Sequence, residues 1–141
     1  MLMKKILSVL AVMLAVTFCS VTFSSCSSDD DNNTEVLLNK ILGSWADIDK
    51  TEDEYVSSET AIIYTFNANK TCSQYFYFAV NGKKLRENTA NYAFDYDGKN
   101  IILYHNRDRN DRSPLHYTLT VYGNKMILGN QEDGFFNLVR Q

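Results

Sequence analysis

The two histidines, His105 and His116, are the side chains in this sequence best suited to proton transfer. They flank a loop that contains Asp108, Asp111 and Ser113. A histidine beside a carboxylate or a hydroxyl is the usual basis of general-base and nucleophilic catalysis. However, no nucleophile stands next to a base in a recognisable catalytic spacing, and two histidines are too few for most catalytic zinc sites. We therefore predict a protein that is not an enzyme and that uses neither a metal nor a cofactor; an enzyme that uses His105 or His116 is the least favoured of the alternatives.

Two acidic segments carry the oxygen ligands that calcium prefers. In segment 106–112 Asp108 and Asn110 alternate with arginines, and segment 95–98 reads Asp-Tyr-Asp-Gly. Three arginines in the first segment would repel a cation, and a hairpin turn explains the second. We interpret segment 106–114 as a solvated loop that is available to a protein partner.

Aromatic residues are the third group with binding potential. In strand-like runs they recur at period two, which places alternate rings on one face of a sheet. Seven of them form the predicted lining of a site for a small apolar or amphipathic molecule: Tyr64, Phe66, Phe76, Phe78, Tyr92, Phe94 and Tyr117. The alternative is that bulky rings fill the interior and leave a solid core. The protein would then be an interaction module that acts through an exposed tyrosine face, which includes Tyr75 and Tyr77, or through the 106–114 loop.

The hydrophobic period predicts the elements that position these residues. Leucines and isoleucine at helical spacing predict a helix over 35–42, which Gly43 ends in a left-handed conformation. Beyond Gly43 the period changes to two, which indicates strands. Eight strands are predicted, over 44–49, 60–66, 72–80, 90–96, 100–106, 115–122, 125–129 and 135–140.

Short turns join the predicted strands. Asn81-Gly82 and Asp97-Gly98 suit primed hairpin turns, in which both central residues have positive φ. No crossover helix fits between any pair of strands, so neighbours along the chain pair antiparallel. Eight twisted strands tend to close so that no edge is left unpaired. The predicted fold class is all-β, an eight-stranded antiparallel up-and-down β-barrel with a short N-terminal helix, and a two-sheet sandwich is the alternative.

A family resemblance supports the barrel. Gly43-Ser44-Trp45 follows the helix, opens the first strand and resembles the Gly-x-Trp signature of lipocalins and of the small lipocalin-like domains of bacterial lipoproteins. The resemblance implies that Trp45 closes one end of the barrel and that an arginine from the last strand lies across it. Arg140 stands at the matching position. The resemblance therefore implies structural roles for Gly43, Trp45 and Arg140, in a lipocalin-like domain over 34–141.

The N-terminal segment predicts export. Lys4 and Lys5 precede an apolar run over 6–18, which is typical of a secretory signal peptide. Polar Ser20 and Thr22 dilute the run, which stops at Cys26, so cleavage is favoured over a membrane span of about 20 apolar residues. We predict a signal peptide over 1–25.

The segment around Cys26 indicates lipid attachment. Phe23-Ser24-Ser25-Cys26 resembles a lipobox, in which the cysteine becomes diacylated and N-terminal. Ser27-Ser28-Asp29-Asp30-Asp31 is similar to the acidic tether that directs lipoproteins of certain Gram-negative bacteria to the outer face of the outer membrane. The resemblances imply a membrane partner, bound through acyl chains on Cys26, and a polar tether over 26–33. They also imply a location at the cell surface.

The number of cysteines and the net charge limit which disulfide and binding partners are possible. Cys19 would leave with the signal peptide and Cys26 would carry lipid, so Cys72 has no disulfide partner. The chain has 14 Lys and Arg against 17 Asp and Glu, a net charge of -3, and removal of Lys4 and Lys5 leaves 12 minus 17, or -5. Affinity for nucleic acid depends mainly on basic residues that displace counterions. We therefore predict no nucleic-acid partner.

Overall fold

The computed structural model describes residues 29–141, with side chains from residue 33 onward. The predicted signal peptide, Cys26 and the start of the predicted tether lie outside the described residues. The described elements are one helix followed by eight strands: α1 (Asp29–Ile41), β1 (Gly43–Glu52), β2 (Ser57–Phe66), β3 (Thr71–Val80), β4 (Lys83–Tyr96), β5 (Asn100–His105), β6 (Leu115–Tyr122), β7 (Lys125–Asn130) and β8 (Gly134–Arg140).

Helix α1 is longer than the predicted helix over 35–42 because it begins at Asp29. The helix ends as predicted before Gly43, whose φ is 104°. Between residues 29 and 141, no helix has the length and apolar character required to cross a membrane.

The eight strands form one closed barrel in sequence order. Every neighbouring pair is antiparallel, and the circle closes where Trp45 pairs with Arg140 and Ala46 with Val139. The predicted fold class is confirmed, and the alternative sandwich is wrong. An eight-stranded antiparallel barrel after a short helix fits a lipocalin-like fold.

The two marked hairpins differ in geometry. Asn81 and Gly82 have φ values of 48° and 76°, as the primed turn requires. At the other hairpin Gly98 has a φ of 101°, but Asp97 does not have a positive φ, so the predicted primed turn is wrong there. The Asp97 side chain instead accepts hydrogen bonds from the backbone N–H groups of Lys99 and Asn100, at 2.9 and 2.6 Å. These bonds stabilise a longer connection between β4 and β5.

The barrel interior is filled at the end covered by α1. Alternate residues of the strands face inward there and form a single hydrophobic cluster with Ile41 of the helix. Its fully buried strand side chains include Trp45, Tyr64, Phe66, Cys72, Phe94, Ile101, Leu103, Leu119, Met126, Leu128 and Leu138. We call this cluster the core.

Trp45 and Arg140 seal the end of the barrel that α1 covers. Trp45 is fully buried, and its indole N–H donates a 2.8 Å hydrogen bond to the Ile41 carbonyl. The Arg140 guanidinium lies over the indole ring and donates to the Lys40 and Leu42 carbonyls, at 2.9 and 2.8 Å. The contact implied by the family resemblance is therefore present.

The opposite end of the barrel is open because the strands differ in length. Strand β4 begins at Lys83 rather than at the predicted residue 90, and its first part pairs with β3. Its pairing with β5 covers only Tyr92 to Tyr96, and β1 pairs with β8 only at its start. Strands β1 to β4 therefore extend beyond the rest of the barrel as a four-stranded sheet.

Candidate functional site

The inner face of the extended sheet is an apolar surface at the open end of the barrel. It contains two adjoining grooves that share Phe76. One groove, of about 230 Å³, is lined by Asp47, Asp49, Thr60, Ile62, Phe76 and Phe136. The other, of about 490 Å³, is lined by Phe76, Phe78, Leu85 and Arg86. We call the two grooves together the mouth.

Strand register explains why these side chains meet. Asp47 pairs with Ile62, Ile62 with Phe76, and Phe76 with Asn88, which makes one row across β1 to β4. The next row toward the open end runs in the same way through Asp49, Thr60, Phe78 and Arg86. Because side chains alternate along each strand, both rows point to the same face.

A β-bulge brings Leu85 into the mouth. The pairing of β3 with β4 shifts between Phe78 and Ala79, from Phe78 with Arg86 to Ala79 with Lys84. Leu85 is therefore the extra residue of the bulged strand, where regular alternation is interrupted. Its side chain lines the larger groove although 56% of it is exposed.

A hydrogen-bonded group lies where the core meets the mouth. Gln74 donates to the Tyr64 hydroxyl at 2.7 Å and accepts from the Tyr92 hydroxyl at 3.2 Å. Burial raises the pKa of Tyr64 and of Tyr92, which keeps both hydroxyls protonated at neutral pH. The Tyr64 ring also contacts Phe136, with centroids 5.8 Å apart. Tyr64 therefore joins this group to a residue that lines the mouth.

The seven predicted lining residues all lie on the inner face but divide into two groups. Five belong to the core: Tyr64, Phe66, Tyr92, Phe94 and Tyr117. Within this group Phe66 and Phe94 meet edge to face at 5.5 Å, which leaves no space between them. Phe76 and Phe78 are half-buried and line the mouth. Ligand contact by any of the seven stays a prediction.

Sequence reasoning missed several residues of the mouth, and simple counting identifies some of them. On β8, every second side chain faces the barrel interior. Counting back from Arg140 therefore gives buried Leu138 and then half-buried Phe136. The same count forward from Trp45 on β1 reaches Asp47 and Asp49. The adjacent phenylalanines at 135 and 136 carry no alternation signal of their own, so only the inward position of Arg140 distinguishes them.

The outer face of β3 carries the predicted tyrosine surface. The rings of Tyr75 and Tyr77 lie 5.7 Å apart, and the Lys84 ammonium is 5.1 and 4.8 Å from their centroids. Tyr75 donates a 2.6 Å hydrogen bond to Glu87, and Tyr77 donates one to Glu59. The Tyr77 hydrogen bond and then Lys50 lower the pKa of Glu59. We call this group the outer tyrosine surface, and its hydroxyls are already hydrogen-bonded.

The two histidines are not brought together. His105 Nδ1 is 2.6 Å from Asp111 Oδ2, whereas His116 pairs with Ile102 and lies on the other face of the sheet. Asp111 also accepts hydrogen bonds from the backbone N–H groups of Ser113 and His105, and these lower its pKa. The carboxylate thus orders the start and end of the 106–114 loop.

Asp108 and Arg109 of the 106–114 loop also have partners close by. Asp108 accepts a 2.9 Å hydrogen bond from the Asn110 backbone. Arg109 pairs with Asp95 of β4 at 2.7 Å. In the part of the chain that the structure describes, no three His, Cys, Asp or Glu side chains are grouped so that they could hold a metal ion.

No family model, no curated protein and no solved structure matches this chain. The candidate site therefore depends on the geometry of the mouth, the outer tyrosine surface and the 106–114 loop.

Proposed function

We propose that the protein is a membrane-anchored lipoprotein whose lipocalin-like barrel binds a small apolar or amphipathic molecule at the mouth. One observation carries the binding proposal: Ile62, Phe76 and Phe136 are only half-buried in a concave surface at the open end of a barrel that is otherwise packed. Apolar surface that stays in contact with water is a source of binding free energy, about 25 cal/mol for each Å² that a ligand covers.

The shape and polarity of the mouth suit a small ligand. Small-molecule sites are concave, mostly apolar and furnished with a few polar groups, and their volumes are typically about 300 to 1,000 Å³. The two grooves, of about 230 and 490 Å³, have this size when they are taken together. The charged groups at their edges, Asp47, Asp49 and Arg86, supply the polar part.

Binding at the mouth requires no rearrangement of the core. Phe66 and Phe94 are at most 1% exposed and contact each other, so a ligand between them would displace packed side chains. Opening a cavity in a packed core costs several kcal/mol for a large side chain. Occupancy of the mouth needs only the removal of water from half-buried rings. The proposal therefore assigns ligand contact to Phe76 and Phe78 rather than to the five core residues.

The anchoring part of the proposal is supported by the sequence around Cys26. Acyl chains on that cysteine would insert in the membrane, and each buried methylene contributes about 0.8 kcal/mol, so two or three chains hold firmly. The acidic residues that follow are similar to a tether for export to the outer face of the outer membrane. The barrel would then lie at the cell surface, where the mouth can meet molecules from the medium or the bilayer.

A second function is favoured by the outer tyrosine surface. Tyr75 and Tyr77 present an ordered aromatic and charged surface on the side of the barrel, and Tyr55 in the β1–β2 loop is 82% exposed. Tyrosines are enriched at protein interfaces. A filled core with such an exterior suits an interaction module, which would use this surface or the 106–114 loop and would need no small ligand.

Adjacent phenylalanines of β8 provide a matched test of the first function. Phe136 lines the mouth, whereas Phe135 lies on the outer face and is 50% exposed. The experiment titrates the purified protein with an environment-sensitive apolar dye and compares Phe136→Gln with Phe135→Gln. We expect at least a fivefold loss of dye affinity for Phe136→Gln and no change for Phe135→Gln.

A second variant keeps the test informative if Phe136→Gln does not fold. Phe76→Gln removes the ring that both grooves share, and Phe76 is outside the core. Circular dichroism identifies any variant that is not folded, and native mass spectrometry of the wild type detects a retained ligand. Equal dye affinity in the wild type and all folded variants, or no dye binding at all, contradicts the proposal and leaves the interaction module.

The anchor is tested by metabolic labelling with an alkyne analogue of palmitate in a Gram-negative host. Cys26→Ser should abolish labelling, whereas Cys19→Ser, within the predicted signal peptide, and Cys72→Ser should retain it. Labelling that survives Cys26→Ser shows that the lipid is attached elsewhere, and a wild type that takes up no label shows that the chain is not a lipoprotein.

A further inference from the structure

The mouth has charges of opposite sign at its two edges. Asp47 and Asp49 lie on β1 and line one groove, and Arg86 lies on β4 and lines the other. In the row through Asp49, the register runs from this carboxylate across Thr60 and Phe78 to Arg86. Three strand intervals separate β1 from β4, and at about 4.8 Å each they span about 14 Å.

These three charges are available to a ligand. None of them forms an ion pair with any other residue that the structure describes. The outer face of the same strands is different, because there Lys50 pairs with Glu59 at 2.9 Å and Lys84 bonds to Tyr75. These outward charges are therefore paired within the sheet, whereas Asp47, Asp49 and Arg86 stay unpaired among the described residues, at the edges of an apolar surface.

We propose that the mouth binds a linear zwitterionic amphiphile. Its ammonium group lies at Asp47 and Asp49, its apolar segment covers Phe76 and Phe78, and its anionic group lies at Arg86. This inference deepens the proposed function and depends on it. It adds the charge of the ligand, the direction in which the ligand lies across the strands, and the spacing of its charged ends.

The apolar segment and the charges have different roles in this binding. Covering the rings supplies most of the affinity, since ion pairs at exposed sites contribute little. The charges select among amphiphiles of equal length, because a ligand with only one charged end leaves the opposite edge of the mouth without a counter-ion. Selection by exposed charges also weakens as salt is added.

The test compares three probes that carry the same twelve-carbon chain: 12-aminododecanoate, dodecylammonium and dodecanoate. Each probe displaces the apolar dye from the full-length protein at concentrations below micelle formation. We expect 12-aminododecanoate to bind about two- to fivefold more tightly than either singly charged probe, the range expected for one exposed ion pair. This advantage should shrink in 0.5 M salt.

Charge-neutral variants locate the two ends of the probe. Asp47→Asn with Asp49→Asn should remove the advantage of 12-aminododecanoate over dodecanoate, and Arg86→Gln should remove its advantage over dodecylammonium. Asp53→Asn with Glu54→Gln, in the β1–β2 loop, makes the same change in net charge away from the mouth and should preserve both advantages. Arg112→Gln is the matching control for Arg86.

The outcomes distinguish this inference from the function on which it depends. If the three probes bind equally, or if the loop controls change selectivity as much as the mouth variants do, the zwitterion is wrong while binding at the mouth stands. If neither dye nor probe binds to the folded protein, both proposals fail.

Discussion

The guanidinium carbon of Arg140 lies 4.1 Å from the centroid of the Trp45 ring, and the two residues are register partners at the junction of β8 and β1. The same guanidinium bonds to the Lys40 carbonyl in the last turn of α1 and to the Leu42 carbonyl just beyond it, where a positive charge complements the helix dipole. Arg140 thus joins the helix, the first strand and the last strand, at the one place where the barrel closes.

Replacement of Arg140 should destabilise the barrel measurably. Arg140→Gln removes the cation over the indole and two charge-assisted hydrogen bonds, and we expect a loss of about 1 to 2 kcal/mol in the free energy of unfolding. Arg140→Lys should recover only part of it, because an ammonium cannot reach both carbonyls as the planar guanidinium does. Urea unfolding measures the difference, with Arg112→Gln as control. If Arg140→Gln unfolds at the same urea concentration as the wild type, the contact between Arg140 and Trp45 does not stabilise the closed barrel.

Gly129 should tolerate no side chain. Its φ is 149°, and an added Cβ would lie 2.1 Å from the Gly134 carbonyl oxygen of the neighbouring strand. Gly134 also has a positive φ, of 89°, but a Cβ there meets open space. We expect Gly134→Ala to cost about 1 kcal/mol from backbone strain alone, and Gly129→Ala to cost more than about 3 kcal/mol or to prevent folding. Thermal unfolding of the two variants makes the comparison, and equal transitions would contradict the close approach of β7 and β8.

The hairpin between β4 and β5 should contribute to acid sensitivity through Asp97. Hydrogen bonds from the Asn100 side chain and from backbone N–H groups lower the pKa of Asp97 from 3.8 to about 2. A carboxyl whose pKa is lower in the folded state stabilises the fold above its unfolded pKa, and this contribution is lost as the pH falls through the folded pKa. The wild type should therefore be more stable than Asp97→Ala at pH 5, and the two should converge as the pH falls from 4 to 2. Carbon-13 NMR of the carboxyl should show a midpoint near 2, and a midpoint near 3.8 would contradict these hydrogen bonds.

Cys72 should be an inert thiol in the folded protein. It is 1% exposed, and burial raises its pKa to about 12, so the reactive thiolate is scarce at neutral pH. Alkylation with iodoacetamide, mapped to the peptide that contains Cys72, should be slow in buffer and become fast in urea at the concentration that unfolds the barrel. Rapid alkylation in buffer would show that this part of the core opens frequently.

Much of the fold could be predicted because the strands of the core alternate clearly. The alternation at Tyr64 and Phe66 on β2, and at Tyr92 and Phe94 on β4, predicted the inner face of these strands correctly. The pair Asn81-Gly82 predicted the primed turn between β3 and β4 correctly. The end closed by Trp45 and Arg140 followed from the Gly-x-Trp resemblance. These local signals agree with one another because each element of the core buries a single face.

The open end could not be predicted for a physical reason. Segment 83–89 is polar on both faces except at Leu85, so hydrophobic alternation gives no sign of a strand, and only pairing with β3 holds it. The bulge that turns Leu85 inward depends on the register between β3 and β4, which is a tertiary property. Asp47 and Asp49 face inward at the open end of the barrel. Hydrophobic alternation takes inward-facing residues to be apolar, so it wrongly places these two aspartates on the outer, solvent-exposed face.

The position of a bound amphiphile tests the central claim most directly. NMR of the protein with labelled methyl groups, in complex with 12-aminododecanoate, can detect nuclear Overhauser effects between ligand methylenes and individual side chains. Contacts to the Ile62 methyls in the mouth, without contacts to Leu119 in the core, are the predicted result. Contacts to Leu119 would place the ligand inside the barrel, and saturating ligand that contacts neither residue would contradict binding at this end of the molecule.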